Sequence, residues 1–330
     1  MYTWHSTTAS IALAAMGVFF LDPTGLSAGL ITIDTALIGD AGNVADTQPQ
    51  GNFGAVNYLY RLGRTEVTNT QYVTFLNAVA ASDPNGLYSP LMGSETPGGI
   101  VRFGTDGHYS YHVKRIIDGT GTEYDNKPVV YVNRYDAMRF VNWLENGQPT
   151  GPQDASTTED GAYTFSGTTT VGERNANASV VLPNEDEWYK AAYYIGGSLD
   201  AGYWHFPTRS DVAPNNNAPT ADTGNSANFF DGDFTMGGPG MPDLPYSDAG
   251  AYVLSTGTYT TFDMAGNVME WTETNDGALA ITRGGAFDTQ PASLSSNFRP
   301  QVAPLNENLS VGFRIAFLPK PSTGALPERD

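Results

Sequence analysis

The sequence predicts an α+β fold with few short helices and strands and a large share of irregular loop. Three observations carry this prediction. Three segments have helical apolar spacing behind a capping residue, five short apolar runs have strand length, and two long stretches have no period at all. The 330 residues include 37 Gly and 21 Pro, with 40% hydrophobic residues, enough for a sizeable core and for many turns.

The first helix opens at Thr68, where Gln71 completes a capping box, and its buried stripe is Tyr72, Phe75, Leu76 and Val79. Asn133 caps the second, which carries Ala137, Phe140, Val141 and Leu144 inward and ends at Gly147 and Pro149. The third begins at Asn184 with Glu187 three positions on, buries Trp188, Ala191 and Ala192, and stops at Gly196-Gly197. Strand candidates are 58–62, 128–132, 179–182, 280–283 and 312–317. The aperiodic stretches are 147–178 and 202–261; loops of that length are usually functional or held by something such as a metal. No internal repeat or break in composition divides the body, so it reads as a single domain over 30–318.

Residues 10–21 form an apolar run too short to span a bilayer, which takes about 20 residues. With Gly25-Leu26-Ser27-Ala28 behind it, 1–29 reads as a secretory signal peptide, although no Lys or Arg precedes the apolar run. A buried N-terminal helix or a misplaced start codon is the alternative. This pattern predicts a secreted or periplasmic protein without an integral membrane span. The Pro-rich tail 319–330 reads as flexible.

Sixteen Lys+Arg against 35 Asp+Glu give a net charge of −19. That balance argues against nucleic acid or an anionic membrane surface as partner, since both need clustered basic residues. It suits carboxylate ligation of a hard cation. Cys is 0, which excludes disulfides, thiolate metal sites and every thiol mechanism.

Other constellations fail on their context. His108 and His112 alternate with Tyr109, Tyr111 and Val113, a strand pattern that separates them by roughly 13 Å, too far to share one ion. Gly25-Leu26-Ser27-Ala28-Gly29 matches a nucleophile elbow but lacks the strand and helix that would flank it. Asp231-Gly232-Asp233 is too short for an EF-hand loop.

Near the C-terminus lie Phe262-Asp263-Met264-Ala265-Gly266-Asn267-Val268-Met269-Glu270-Trp271, Arg283-Gly284-Gly285-Ala286-Phe287 and Val311-Gly312-Phe313-Arg314-Ile315-Ala316. With Glu66-Val67-Thr68-Asn69, Pro128-Val129-Val130 and Leu182-Pro183-Asn184-Glu185-Asp186-Glu187-Trp188 before them, they resemble the sulfatase-modifying-factor family of formylglycine-generating-enzyme-like domains. The resemblance runs from about residue 31 to 318 and implies that family's variant of the C-type-lectin-like fold.

On the residues alone, Asp263 and Glu270 bracket a Gly-containing turn, and converging carboxylate and carbonyl oxygens are what calcium requires. The alternative is that the two carboxylates cap the turn and pair with Arg283 or Arg314. The resemblance implies Ca2+ on Asp263, the carbonyls of Gly266 and Val268, and Glu270. It implies a second ion at Asn228 and the carbonyl of Phe229, with Asp243 or Asp248 as acidic partner. In catalytic members two cysteines after the Arg-Gly-Gly element bind copper and oxidise a substrate cysteine. Those positions fall here on Thr289 and about Ser295, whose hydroxyls are neither soft copper ligands nor thiolate nucleophiles. No copper is therefore expected.

Thr289, Ser295, Arg299 and Trp271 are candidates for a groove that binds a protein, peptide or glycan; ordinary polar loop positions are the alternative. Arg283, Arg299 and Arg314 beside Phe and Gly read as buried partners for carboxylates. The expected function is an exported, calcium-stabilised binding or structural module without the copper chemistry. Two alternatives stand beside it: an oxidoreductase of the same family with another metal or cofactor, and a diversified binding protein with a variable surface at 288–309.

Overall fold

The computed structural model describes residues 29–115, 124–236 and 244–320. The expected signal segment up to residue 28, and the tail from 321, lie outside the described residues. In chain order the elements are β1 (Thr35–Ile38), β2 (Asp46–Gln48), β3 (Gly51–Phe53), β4 (Tyr60–Gly63), α1 (Asn69–Val79), α2 (Leu91–Ser94), β5 (Ile100–Phe103) and β6 (Ser110–Val113). Then follow α3 (Arg134–Glu145), β7 (Val180–Val181), α4 (Glu185–Tyr193), β8 (Met269–Asp276), β9 (Leu279–Arg283), β10 (Gln301–Val302), β11 (Val311–Gly312) and β12 (Ala316–Phe317).

The three long helices start where their caps predict. Thr68 accepts from the Gln71 amide, Asn133 from the Tyr135 and Asp136 amides, and Asn184 from the Glu187 amide. In each, the side chain three residues on reaches back to the cap, so α3 too has a capping box, through Asp136. Such caps satisfy N–H groups that the first helical turn leaves orphaned. Helix α4 ends before the glycines because Tyr194 turns extended and bridges to Tyr203.

Two four-stranded sheets, β1-β4-β12-β7 and β10-β9-β8-β11, stand beside the hairpins β2–β3 and β5–β6. The run 312–317 does not form one strand. Its start, β11, pairs in parallel with β8, and its end, β12, pairs antiparallel with β4 and β7. Phe313, Arg314 and Ile315 carry the chain from one sheet to the other. The run 128–132 forms no strand either, only an isolated bridge from Pro128 to Thr68. Tyr131 takes φ 59°, which breaks extension, and its N–H goes to the Asn308 carbonyl at 3.0 Å.

Between α1, α3 and the crossover the core is aromatic. Phe75 lies 5.2 Å from Phe140 and 5.3 Å from Trp143, and Phe140 lies 5.4 Å from Phe313, all by ring centroids. Each such pair contributes about 0.5–1.5 kcal/mol beyond its area burial. The long loop after α3 is held by side-chain amides. Asn142 donates to the carbonyls of Thr158 (2.7 Å) and Tyr163 (2.8 Å), and Asn146 to those of Thr157 (3.0 Å) and Asp160 (2.7 Å). The 202–261 stretch contains one 3-10 turn, Pro219–Ala221, among its described residues. Asp222 ties it together by accepting from the Leu254 amide at 2.7 Å and the Ser255 hydroxyl at 2.5 Å.

Candidate functional site

The 263–270 turn is built on left-handed backbone: φ is 53° at Asp263, 75° at Gly266 and 57° at Asn267. Gly266 is required for space as well, since a Cβ there would lie 2.1 Å from the Asn228 carbonyl oxygen. Asn267 is the hub that sequence reasoning missed. Its N–H donates to the Asn228 carbonyl (2.8 Å), and its Nδ2 donates to Glu66 Oε1 (3.0 Å). Its Oδ1 accepts from Asn228 Nδ2 (3.1 Å) and from the Ser247 amide (3.1 Å). The Gly-Asn pair in the motif was the signal available, because Asn tolerates φ > 0 and bonds locally.

Glu270 is fully buried and its carboxylate is taken. Arg314 donates from Nε to Oε2 at 2.5 Å and from Nη2 to Oε1 at 2.6 Å, and the Trp188 indole N–H donates to Oε2 at 2.7 Å. The remaining Arg314 N–H groups go to the carbonyls of Gly63, Arg64 and Phe262. Asp263 accepts the Gly250 amide at 2.5 Å. Glu66 Oε2 is buried without a hydrogen-bond partner. Burial, and then the Asp263 charge, push the Glu66 carboxyl well above its ordinary range. Burial raises Asp263 to about 6, against the opposing pull of the Gly250 N–H and of Arg314.

The expected calcium ligands have the following partners within the protein. Glu270 is bound by a guanidinium and an indole, so the alternative reading, a pair with Arg314, describes it. A cation on the same carboxylate would sit against a buried positive charge. Val268 is buried, and Gly266 bridges to Asn228. Among the described residues no group of three or more His, Asp or Glu is arranged to hold a metal ion.

At the second expected site, Asn228 donates to the Pro245 carbonyl at 2.8 Å, and the Phe229 carbonyl accepts from the Thr235 hydroxyl at 3.1 Å. Asp248 pairs with Lys127 at 2.7 Å, and Asp243 lies outside the described residues.

The four residues expected to line a groove are placed as follows. Trp271 is fully buried and donates to the Val132 carbonyl at 3.0 Å, which makes it a core residue. Ser295 is buried, its hydroxyl bonded to the Ala292 carbonyl and to Asn297 Oδ1, both at 2.6 Å. The half-buried Thr289 hydroxyl closes its own turn, accepting from the Ala286 N–H and donating to the Ala286 carbonyl, both at 2.9 Å. Arg299 is spent on Glu185 (2.8 Å) and Asp276 (2.7 Å). Glu185 also receives Arg283 at 2.5 Å, and both guanidiniums lie over the Phe53 ring.

The β2–β3 hairpin covers this loop through Gln48 to Ser296 (3.4 Å) and Gln50 to the Asn297 carbonyl (3.0 Å). His112 sits exposed on β6, and His108 lies exposed in the turn before that strand.

Short strands, three capped helices, long amide-braced loops and an Arg-closed turn define a formylglycine-generating-enzyme variant of the C-type-lectin-like fold. The chain belongs to the sulfatase-modifying factor enzyme 1-like domain family, whose model matches residues 29–318. Similar solved structures include Treponema denticola variable protein 1, at 18% identity and TM-score 0.49, covering 89% of this chain and 98% of that one. CarF is similar at 20% identity and TM-score 0.44, covering 88% and 99%. PvdO from Pseudomonas aeruginosa is similar at 16% identity and TM-score 0.44, covering 87% and 92%. No curated protein matches the sequence. No helix among the described residues is long and apolar enough to cross a membrane.

Proposed function

We propose that this chain keeps the family scaffold without its copper and cysteine chemistry, and serves as an exported binding or structural module for a protein, peptide or glycan. One observation carries the reading: 330 residues contain no Cys. The hydroxyls of Thr289 and Ser295, at the positions the family's cysteines would take, are closed into local hydrogen bonds, which supports it. Export rests on the apolar run and small residues before position 29. Titration of the purified protein with Cu(I) against a colorimetric chelator tests the reading. No tight binding is expected, and one tightly held Cu(I) per chain would overturn it.

A second reading keeps calcium, on a different ligand set. Glu66, Asp263 and Glu270 gather three buried carboxylates around the single guanidinium of Arg314, and Glu66 Oε2 has no donor. A cation bridging Glu66 and Asp263 would offset the excess negative charge; protonation of the two acids is the other way to do so. Calcium supports this reading if it raises the melting temperature of the native chain and loses that effect in Glu66→Gln. A melting temperature indifferent to calcium and to chelator leaves the acids held by protons.

A further inference from the structure

Four arginines are buried among the described residues, and three of them face a carboxylate: Arg139 with Glu159 at 2.7 Å, Arg283 with Glu185, and Arg314 with Glu270. Arg134, 4% exposed, does not. Its Nε donates to the Thr272 carbonyl (3.1 Å), its Nη1 to Asn275 Oδ1 (2.6 Å) and its Nη2 to the Glu273 carbonyl, all neutral acceptors. The nearby Glu273 carboxylate is spent elsewhere, on Arg174 (2.9 Å) and the Tyr163 hydroxyl (2.7 Å). Arg174 is in turn covered by Glu187 at 2.9 Å. A guanidinium has five N–H donors, so three neutral acceptors leave Arg134 two in reserve, and its charge has the through-space pull of Glu273 but no ion pair of its own. A buried guanidinium without a direct carboxylate partner is a natural seat for an anion.

Arg134 lines a cavity of about 460 Å³ whose wall also includes Met138, Glu173, Arg174, Asn275 and the Arg174-paired Glu273. That volume falls within the range of about 300–1,000 Å³ usual for small-molecule sites. Asn275 Nδ2 has no acceptor among the described residues, so it is a second donor beside the guanidinium. Glu173, exposed on the same wall, has neither an ion pair nor a hydrogen bond there, and it repels a second negative charge.

We propose that this cavity binds a small organic monocarboxylate, with the ligand carboxylate on Arg134 and Asn275 and its hydroxyl or amine toward Glu173. The assignment does not depend on the loss of copper chemistry and stands apart from the loop at 289–299.

Thermal melting of the full chain with lactate, glycine, succinate or sodium chloride at matched ionic strength tests it. Lactate or glycine is expected to raise the melting temperature saturably, by about 3 °C or more at high excess, with no effect from chloride. Arg134→Met is expected to abolish the shift. Asn275→Asp, at an exposed position, gives the guanidinium a carboxylate of its own; it is expected to abolish the shift too and decides the matter if the arginine variant fails to fold. No saturable shift in the native chain, or an unchanged shift in either variant, would overturn the site. A shift with succinate as large as with lactate would overturn the monocarboxylate assignment.

Discussion

Arg314 spends all its donors inside the protein, two on Glu270 and three on carbonyls of the chain segments around it. Removing one member of such a pair leaves a buried charge without a partner, so Arg314→Met is expected to cost about 3–5 kcal/mol in urea unfolding. Glu270→Gln is expected to cost less, because the amide oxygen still accepts from the guanidinium.

Lys190 is a second buried cation without an ion pair among the described residues. It is fully buried, donates to the carbonyls of Asp40 (2.9 Å) and Val56 (3.5 Å), and is lowered to about 8 by burial, against the pull of Asp40. Because the folded value is below the unfolded value near 10.5, the native state favours the neutral amine. Stability from this group is present above pH 10.5 and lost as pH falls through 8. Relative to Lys190→Met, the native chain should therefore gain up to about 3 kcal/mol between those limits, measured as the difference of two urea titrations across pH. A flat difference would mean that burial does not lower this amine in the folded state.

The pairing of Arg283, Arg299 and Arg314 with carboxylates was legible in the sequence, because Arg in an apolar, glycine-rich context needs a partner to be buried. Which carboxylate each would take was not. Glu185 and Glu270 sit 98 and 44 positions from Arg283 and Arg314, and only the tertiary fold brings them together.

At the level of elements, local signals were read correctly and non-local ones were not. The caps at Thr68, Asn133 and Asn184 act within three residues, so they place α1, α3 and α4 without knowledge of the fold. Asn133→Ala and Asn184→Ala should each cost about 0.5–2 kcal/mol in chemical unfolding, with Gly at the same positions costing only tenths. Strand β8 escaped notice because its first residues belong to the motif read as a turn, and its pairing with β9 and β11 depends on distant sequence. The 128–132 run failed as a strand for a reason no apolar pattern records, the left-handed Tyr131. Gly266→Ala would drive a Cβ into the Asn228 carbonyl from a φ of 75°, so it should cost about 2 kcal/mol or more. Circular dichroism melting of that variant beside Gly232→Ala, also at positive φ but with open space around its Cα, separates the clash from backbone strain alone.

Across the whole molecule, Arg314 lies in the crossover that joins the two four-stranded sheets, and its bond to Glu270 of β8 ties that crossover to the turn motif. The motif residues were visible in the sequence, and so was the absence of thiols. The chemistry of the turn was not, since Asp263 and Glu270 suit calcium or an arginine equally well until Arg314, Trp188 and Glu66 are placed around them. The groove read from Thr289, Ser295 and Trp271 had no burial information behind it, and the core claims Trp271.

The loss of thiol oxidation from the family scaffold is the proposal on which the rest depends. It is tested most directly by incubating the purified chain with copper, oxygen and a cysteine-containing sulfatase-type peptide and following the peptide by mass spectrometry. The cysteine is expected to be left unconverted at any enzyme-to-peptide ratio. Formation of the formylglycine aldehyde in proportion to protein concentration would contradict it.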